Sequence, residues 1–198
     1  MVCIVRHEAK LVQATQEPVA LVAGAARACT KSCGTDNHRL VHSLIQRGHM
    51  SPLEFAHATL QVTTDRATAT ALTRHRHLSF CQESTRYINY TARKGLAFAL
   101  PLEWQDDPPE YLLRSLEAAA NTYQRLIDAG CKPQQARTIL PQATATALHV
   151  SGNFRAWREM LQTRITHHNN TTMQHLAALM LEQLTGVAPD FFQDIKPS

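Results

Sequence analysis

The clearest pattern in the chain lies between Ala56 and Thr63, where Ala58, Leu60 and Val62 alternate with His57, Thr59 and Gln61. A period of two is that of a strand buried on one face. Elsewhere apolar residues recur at helical spacing. Pro18 can open a helix carrying Val19, Leu21, Val22, Ala25 and Ala26, because its ring pre-sets φ and a first turn does not need its missing N–H. Leu40, Val41, Leu44 and Ile45 share one face of a second helix that starts near Asn37 and stops at Gly48. Asp65 is placed to cap an alanine-rich helix ending near Arg74. From Tyr111, the set Leu112, Leu116, Ala119, Tyr123 and Leu126 predicts a longer helix closed by Gly130. Gln134 to Leu140 reads as a short helix before Pro141, and the Thr-rich run Ala143 to Val150 as a strand. Two last helices follow, Asn153 to Arg164 and Thr171 to Leu184, with Gly186 after the second. Residues 1–5 form a short β-rich start. Strands separated by helices, with no Gly-rich strand-to-helix turn, predict an α+β fold and not a doubly wound one.

Composition narrows the class. A chain of 198 residues and 22.1 kDa, 44% hydrophobic and 18% charged, suits one domain over residues 1–198 with a core of its own. No apolar run approaches the roughly 18–20 residues of a membrane span, and Met1 to Arg6 lack a signal-peptide apolar region. Five cysteines, an odd number at irregular spacing, argue against a disulfide framework and for a reducing compartment, by default the cytoplasm. A net charge of +4 and a pI near 8.9 suit a polyanionic small ligand as well as a nucleic acid. Only four tyrosines, without aromatic residues interleaved among the basic ones, disfavour a nucleic-acid-binding domain. The eleven histidines leave the charge sensitive to pH near neutrality.

The segment Arg74-His75-Arg76-His77-Leu78-Ser79-Phe80-Cys81-Gln82-Glu83-Ser84-Thr85-Arg86-Tyr87 gathers three arginines, two histidines and two serines within fourteen residues. Guanidinium forks pair bidentately with phosphate, and hydroxyls and loop N–H groups add neutral donors, so such a segment can hold a nucleotide. Taken alone, Arg74-His75-Arg76 reads as the solvated basic end of a helix followed by a polar loop.

The whole segment resembles the signature of the flavin-dependent thymidylate synthases: Arg-His-Arg, then after seven residues Ser, any residue, Arg and Tyr, here Arg74-His75-Arg76, Ser84, Arg86 and Tyr87. Gly48-His49-Met50-Ser51-Pro52-Leu53-Glu54, Ala136-Arg137-Thr138-Ile139-Leu140-Pro141, and Asn153-Phe154-Arg155 with Arg164 nine residues after Arg155 are similar to three further stretches of that family. The resemblance implies an α+β domain with a central, mostly antiparallel sheet and flanking helices. It implies FAD contacts at Ser51, Arg74, His75, Arg76, Gln82, Asn153, Phe154, Arg155 and Glu159. It implies dUMP contacts at Gln82, Glu83, Ser84, Thr85, Arg86, Arg137 and Arg164, and gives Arg164 the catalytic role. The expected reaction methylates dUMP to dTMP, with 5,10-methylenetetrahydrofolate as carbon donor, NADPH as reductant, no metal and no protein nucleophile. Composite sites in a homotetramer are expected, with no membrane or nucleic-acid partner.

Cys81 could be a nucleophile, since basic neighbours lower a thiol's pKa, but beside Phe80 it is expected to pack. The i, i+4 pairs Cys29/Cys33 and His38/His42 could hold zinc, though the gap between them is short. His167-His168 is a helix-face pair in which the resemblance singles out His168. Departures from the family pattern are Ala71 where many members have Gln, Gln82 for Glu, Glu159 for Asn, and the run Asn169 to Gln174. They motivate the rival expectation of a catalytically silent flavin- or nucleotide-binding homologue.

Overall fold

The structure, a computed structural model, describes residues 2–91, 95–166, 168 and 170–196. Its elements in chain order are β1 (Cys3–Val5), β2 (Glu8–Ala14), α1 (Pro18–Thr30), α2 (Asn37–Gln46), a 3-10 turn (Ser51–Phe55), β3 (His57–Asp65), α3 (Arg66–Leu72), β4 (Ser79–Gln82), β5 (Ala97–Ala99), α4 (Glu110–Asp128), α5 (Pro133–Ala136), β6 (Ala145–Asn153), α6 (Phe154–Arg164), α7 (Thr171–Val187) and α8 (Pro189–Phe192). A four-stranded sheet has the order β2-β3-β6-β4, and β1 pairs with β5 in parallel, Cys3 opposite Ala97 and Val5 opposite Ala99. The four-stranded sheet is antiparallel, so the α+β architecture expected from the pattern is the one observed. The chain forms two compact units, residues 1–8, 62–74 and 81–148 in one and residues 9–61, 75–80 and 149–198 in the other, with β3 and β6 each contributing to both.

The second unit is built around α6. Phe154, Trp157, Met160 and Leu161 are fully buried on one side of that helix. Asn153 caps it by accepting from Ala156 N at 2.8 Å, which satisfies one of the donors that a helix start leaves open. The Phe154 N–H donates to Ala56 O at 2.8 Å, and the Trp157 indole N–H to Ala58 O at 3.0 Å, so the helix is tied to β3 by directed bonds as well as by burial. Phe154 also meets Phe191 and Phe192 edge-on, with centroids 5.0 and 5.1 Å away, an arrangement that aligns ring edges with ring faces. Trp157, Phe191 and Phe192 are all fully buried.

One charge sits inside this core. Arg158, 2% exposed, forks onto Asp194 with two contacts of 2.7 Å and also donates to Phe191 O. The bidentate pair fixes the segment after α8 against α6. On the exposed side of α8, His38 and His42 of α2 both reach Asp190 Oδ1, at 2.8 and 3.0 Å.

The first unit packs two small clusters. Tyr90, Tyr123 and Ala136 form one, with Tyr90 and Tyr123 edge-on at 5.9 Å, and Phe98, Leu100 and Leu116 form the other. His7 is buried with both ring nitrogens engaged, by Thr64 Oγ1 at 2.9 Å and Leu100 O at 2.8 Å. Since a carbonyl can only accept, Nε2 carries a proton and donates to Leu100 O, while Nδ1 pairs with the Thr64 hydroxyl. Asp65 caps α3 as expected, taking Thr68 N at 2.8 Å and the Thr68 hydroxyl at 2.6 Å.

Most helices lie where the apolar spacing puts them, and Gly48 and Gly130 supply the positive φ that follows a helix end, at 71° and 86°. Four elements escape the pattern. β2 reads Glu-Ala-Lys-Leu-Val-Gln-Ala with only Ala9 buried, an edge strand whose charges disguise it. β4, β5 and α8 have three or four residues each, too few for a period to register. Gly186 does not end α7, which continues to Val187 and stops where Ala188 precedes Pro189. Burial of Met180, Leu181 and Leu184 outweighs the ~1 kcal/mol that an interior glycine costs.

Replacing Asp194 by Ala would leave the buried Arg158 guanidinium without its carboxylate; because Asp194 itself is half exposed and solvent screens the pair, the expected cost is roughly 1–3 kcal/mol, read as a lower denaturant midpoint. The hydrogen bonds from Arg158 hold the Asp194 carboxyl below the usual carboxylate range. A depressed carboxyl contributes stability that is present above its unfolded value and lost as pH falls through the folded one. The wild type should therefore lose stability on acidification below about pH 4, and the Asp194→Ala variant should lose less.

Candidate functional site

The two units divide the residues that the sequence singled out. In the second unit, α6 carries Arg155 and Arg164. Nine residues at about 100° each set them on opposite sides of the helix and roughly 13 Å apart along it, so one helix serves two places.

At its C-terminal end, Arg164 Nε donates to His75 Nε2 at 2.8 Å. Arginine has only donors, so His75 must accept at Nε2 and carry its proton on Nδ1. Burial, and after it the Arg164 charge, lower the His75 pKa below its ordinary value. The imidazole is thus held neutral as an orienting partner of a permanent cation. His75 is brought there by a tight turn, with Leu78 N donating to His75 O at 3.0 Å. That turn lies against β6 at Gly152, where a Cβ would collide with Leu78 Cδ2, so the missing side chain makes room for the buried Leu78.

At its N-terminal end, Arg155 lies between two carboxylates. Its Nη1 donates to Glu54 at 2.7 Å and its Nε to Glu159 at 3.2 Å. Neither uses Nη2. The 3-10 turn Ser51–Phe55 delivers Glu54, anchored by Leu53, which is fully buried, while Ser51 itself is exposed. Glu54, His77, Asn153, Arg155, Ala156 and Glu159 line a recess of about 300 Å³. Arg76 is exposed nearby in sequence. Guanidinium, imidazole and amide groups around an open recess fit the phosphates and ring edges of a dinucleotide such as FAD. Glu159, which would repel those phosphates, is turned onto Arg155. Phe154 departs from the expected set: its side chain is core, and its N–H is spent on Ala56 O.

In the first unit, Arg74 follows α3 and is exposed, and Arg137 is exposed on the 3-10 turn after α5. Gln82, at the end of β4, donates its amide to Thr146 Oγ1 at 3.2 Å. Glu83 was expected to touch the nucleotide, but its oxygens are engaged within the unit, by the Tyr90 hydroxyl at 2.7 Å and by Ala147 N at 3.4 Å. Ser84 organises the turn that follows: its Oγ accepts from Arg86 N, and its carbonyl from Tyr87 N and Ile88 N, all within 3.3 Å. Thr85 is buried and not available as an open donor, whereas Arg86 is exposed, with its guanidinium 5.5 Å from the exposed Tyr87 ring. Glu83, Ile88, Tyr90 and Thr146 also border a recess of about 560 Å³.

Cys81 is exposed, so it does not pack. Cys29 and Cys33 are exposed and His38 and His42 are turned to Asp190; among the described residues no three His, Cys, Asp or Glu side chains cluster as a metal site. His168 lies exposed in a turn, and His167 and Asn169 fall outside the described residues. Part of the divergent Asn169 to Gln174 run has a local purpose, since Asn170 caps α7 by accepting from Met173 N at 2.8 Å. Glu54, His77, Tyr90 and Thr146 were not singled out. Glu54 and His77 lay inside quoted motifs, where an acidic or imidazole group beside arginines was a usable signal. Tyr90 and Thr146 carried none, because only the folded loop reveals their partners.

Residues 10–190 match the family described as "Thymidylate synthase complementing protein". The chain is 33% identical to the flavin-dependent thymidylate synthase of Mycobacteroides abscessus over 199 residues, which is 88% of this chain and 78% of that protein. It is also 33% identical to that of Mycobacterium tuberculosis over 201 residues, 89% of this chain and 79% of the relative. Among solved structures, the UMP/dUMP methylase PolB from Streptomyces cacaoi bound with 5-Br dUMP superposes with a TM-score of 0.83 at 23% identity, covering 97% of this chain and 96% of the other. The same enzyme with 5-Br UMP gives a TM-score of 0.82 at 25% identity, covering 97% and 95%.

Because Nε2 of His75 must stay unprotonated to accept from Arg164, this pair contributes stability that is present above the ordinary histidine value of 6.5 and lost as pH falls through the lowered folded value. Nitrogen NMR of labelled protein should find the Nδ1-protonated tautomer at pH 6.5 and titration below that point. A midpoint above it, or the other tautomer, would contradict the assignment.

Proposed function

We propose, from the premise that this chain belongs to the flavin-dependent thymidylate synthases and is a methyltransferase, that it converts dUMP to dTMP with FAD, NADPH and 5,10-methylenetetrahydrofolate. The observation that carries the reading is the Arg164–His75 pair, a cation held at the C-terminal end of α6 by a histidine of the signature motif.

The uracil ring is a weak carbon nucleophile at C5 until negative charge gathers on its N3/O4 edge. A pre-oriented guanidinium beside that edge stabilises the charge as it develops, without reorganising. Arg164 takes this role, and neutral His75 keeps its fork aimed without adding a competing positive charge. Arg86 and Arg137 hold the phosphate or ring, and Ser84 presents the turn. The activated C5 captures the folate methylene, so the scheme needs no nucleophile from Cys81 or any other side chain. Reduced flavin, when bound, supplies the hydride that completes the methyl group. Ser51, Arg74, His75, Arg76, Asn153 and Arg155 would hold it, with Glu159 beside them. Flavin, nucleotide and folate together call for a large concave surface, which in a chain of 198 residues favours a homotetramer with shared sites.

The test is anaerobic: reduce the protein with NADPH, add dUMP and methylenetetrahydrofolate, and follow flavin reoxidation with dTMP formation. Stoichiometric dTMP is expected, together with a loss of at least about a hundredfold in turnover for Arg164→Ala, the size of losing a preorganised electrostatic donor. Bound flavin and dUMP without product would favour the silent homologue.

Arg155 balances one positive charge against two carboxylates, so a flavin phosphate must compete for it. Glu159→Gln is expected to tighten FAD binding by about two- to fivefold, the scale of an exposed ion pair, as measured by fluorescence titration. Unchanged or weaker binding would remove Glu159 from the flavin contacts.

A further inference from the structure

The loop from Glu83 to Tyr90 is closed at its neck by side chains and not by a strand pair. Glu83 N donates to Ala147 O at 2.9 Å, which seats the first residue on β6. The Tyr90 hydroxyl donates to Glu83 Oε1 at 2.7 Å, while Ala147 N reaches the other carboxylate oxygen at 3.4 Å. Inside this neck the chain makes one tight turn, in which Ser84 accepts from Arg86, Tyr87 and Ile88. Every residue between Ser84 and Arg86 therefore takes its place from the two ends of the clasp.

Tyr90 is the end that cannot move. It is 7% exposed, meets the ring of Tyr123 in α4 edge-on, and packs with Ala136 of α5. Burial first, and then the hydrogen bond to Glu83, keep its phenol protonated far above neutrality, with the Arg66 charge opposing in part. It remains a donor throughout the working range. The Glu83 carboxylate, partly buried and taken up by two donors, cannot double as an open ligand contact without releasing one of them.

We propose that Tyr90, acting through the Glu83 carboxylate, is a positioning residue for the Ser84–Arg86 turn and so sets the affinity for the nucleotide. This rests on the reading of that turn as part of the dUMP site. An interaction that orders the turn before the nucleotide arrives contributes equally to the ground and transition states, so its loss falls on KM and not on kcat. Without it, binding must order the turn at its own cost.

The experiment is steady-state kinetics of the flavin-loaded enzyme with Tyr90→Phe, which keeps the ring and its packing and removes only the donor, together with amide hydrogen exchange of the ligand-free protein. KM for dUMP is expected to rise about tenfold with kcat within about twofold, as for one lost charge-assisted hydrogen bond. Exchange at Arg86, Tyr87 and Ile88 should accelerate while that of α4 is unchanged. Glu83→Gln retains one acceptor for the Tyr90 hydroxyl and should raise KM less than Tyr90→Phe does; it carries the test if the phenylalanine variant fails to fold. An unchanged KM in these variants, or a fall in kcat at constant KM, overturns the proposal while leaving dUMP as substrate. A wild-type protein that neither binds nor turns over dUMP overturns the reading beneath it, and the proposal with it.

Discussion

The seat of α6 on β3 is the constraint from which the arrangement of the second unit follows. Two directed bonds, from Phe154 N to Ala56 O and from the Trp157 indole to Ala58 O, fix both the height and the rotation of the helix. Burial alone would tolerate sliding, because apolar contact is non-directional. With register fixed, Asn153 falls at the helix start, Arg155 on one side and Arg164 half a turn away on the other. The buried Arg158–Asp194 fork then locks the C-terminal segment to the same helix.

Charge in this protein is managed by pairing. Arg155 is divided between Glu54 and Glu159, Arg158 is held by Asp194, and Arg164 is held by a neutral imidazole. The last case differs in kind. An imidazole accepting at Nε2 orients the guanidinium through a hydrogen bond and, being neutral, brings no charge of its own. The pairing of Arg155 has the opposite effect, since it weakens the pull of its recess on an anion. An exposed ion pair is weak enough to be exchanged for a phosphate.

The first unit solves a different problem. A polar, open loop with no order of its own must be organised at the moment a ligand binds. Here the polar turn is suspended from a buried aromatic cluster through one phenol and one carboxylate. Tyr90 belongs to the core by its ring and to the loop by its hydroxyl, the division of labour that makes tyrosine useful where an apolar body and a polar tip are both needed.

Much of this was legible in the residues themselves. The helices, the long strand β3 and their caps follow from periodicity, from Asp65 and Asn153, and from glycines at helix ends, because those signals act over a few neighbouring residues. The motif spacing of Arg74 to Tyr87, with Arg137, Asn153, Arg155 and Arg164, identified the family through a pattern that local chemistry and descent both preserve. The sequence by itself determined the elements and the kinds of group available. Only the tertiary structure decided the partners: that Glu83 turns inward to Tyr90 and Ala147, that Phe154 is core, that Glu54 reaches Arg155, that β2 pairs despite its charges, and that α7 runs through Gly186. Each of these depends on residues distant in the chain or on burial that outweighs local preference. Such contacts leave no period in the sequence, because a hydrogen bond requires proximity in space and takes no account of separation along the backbone.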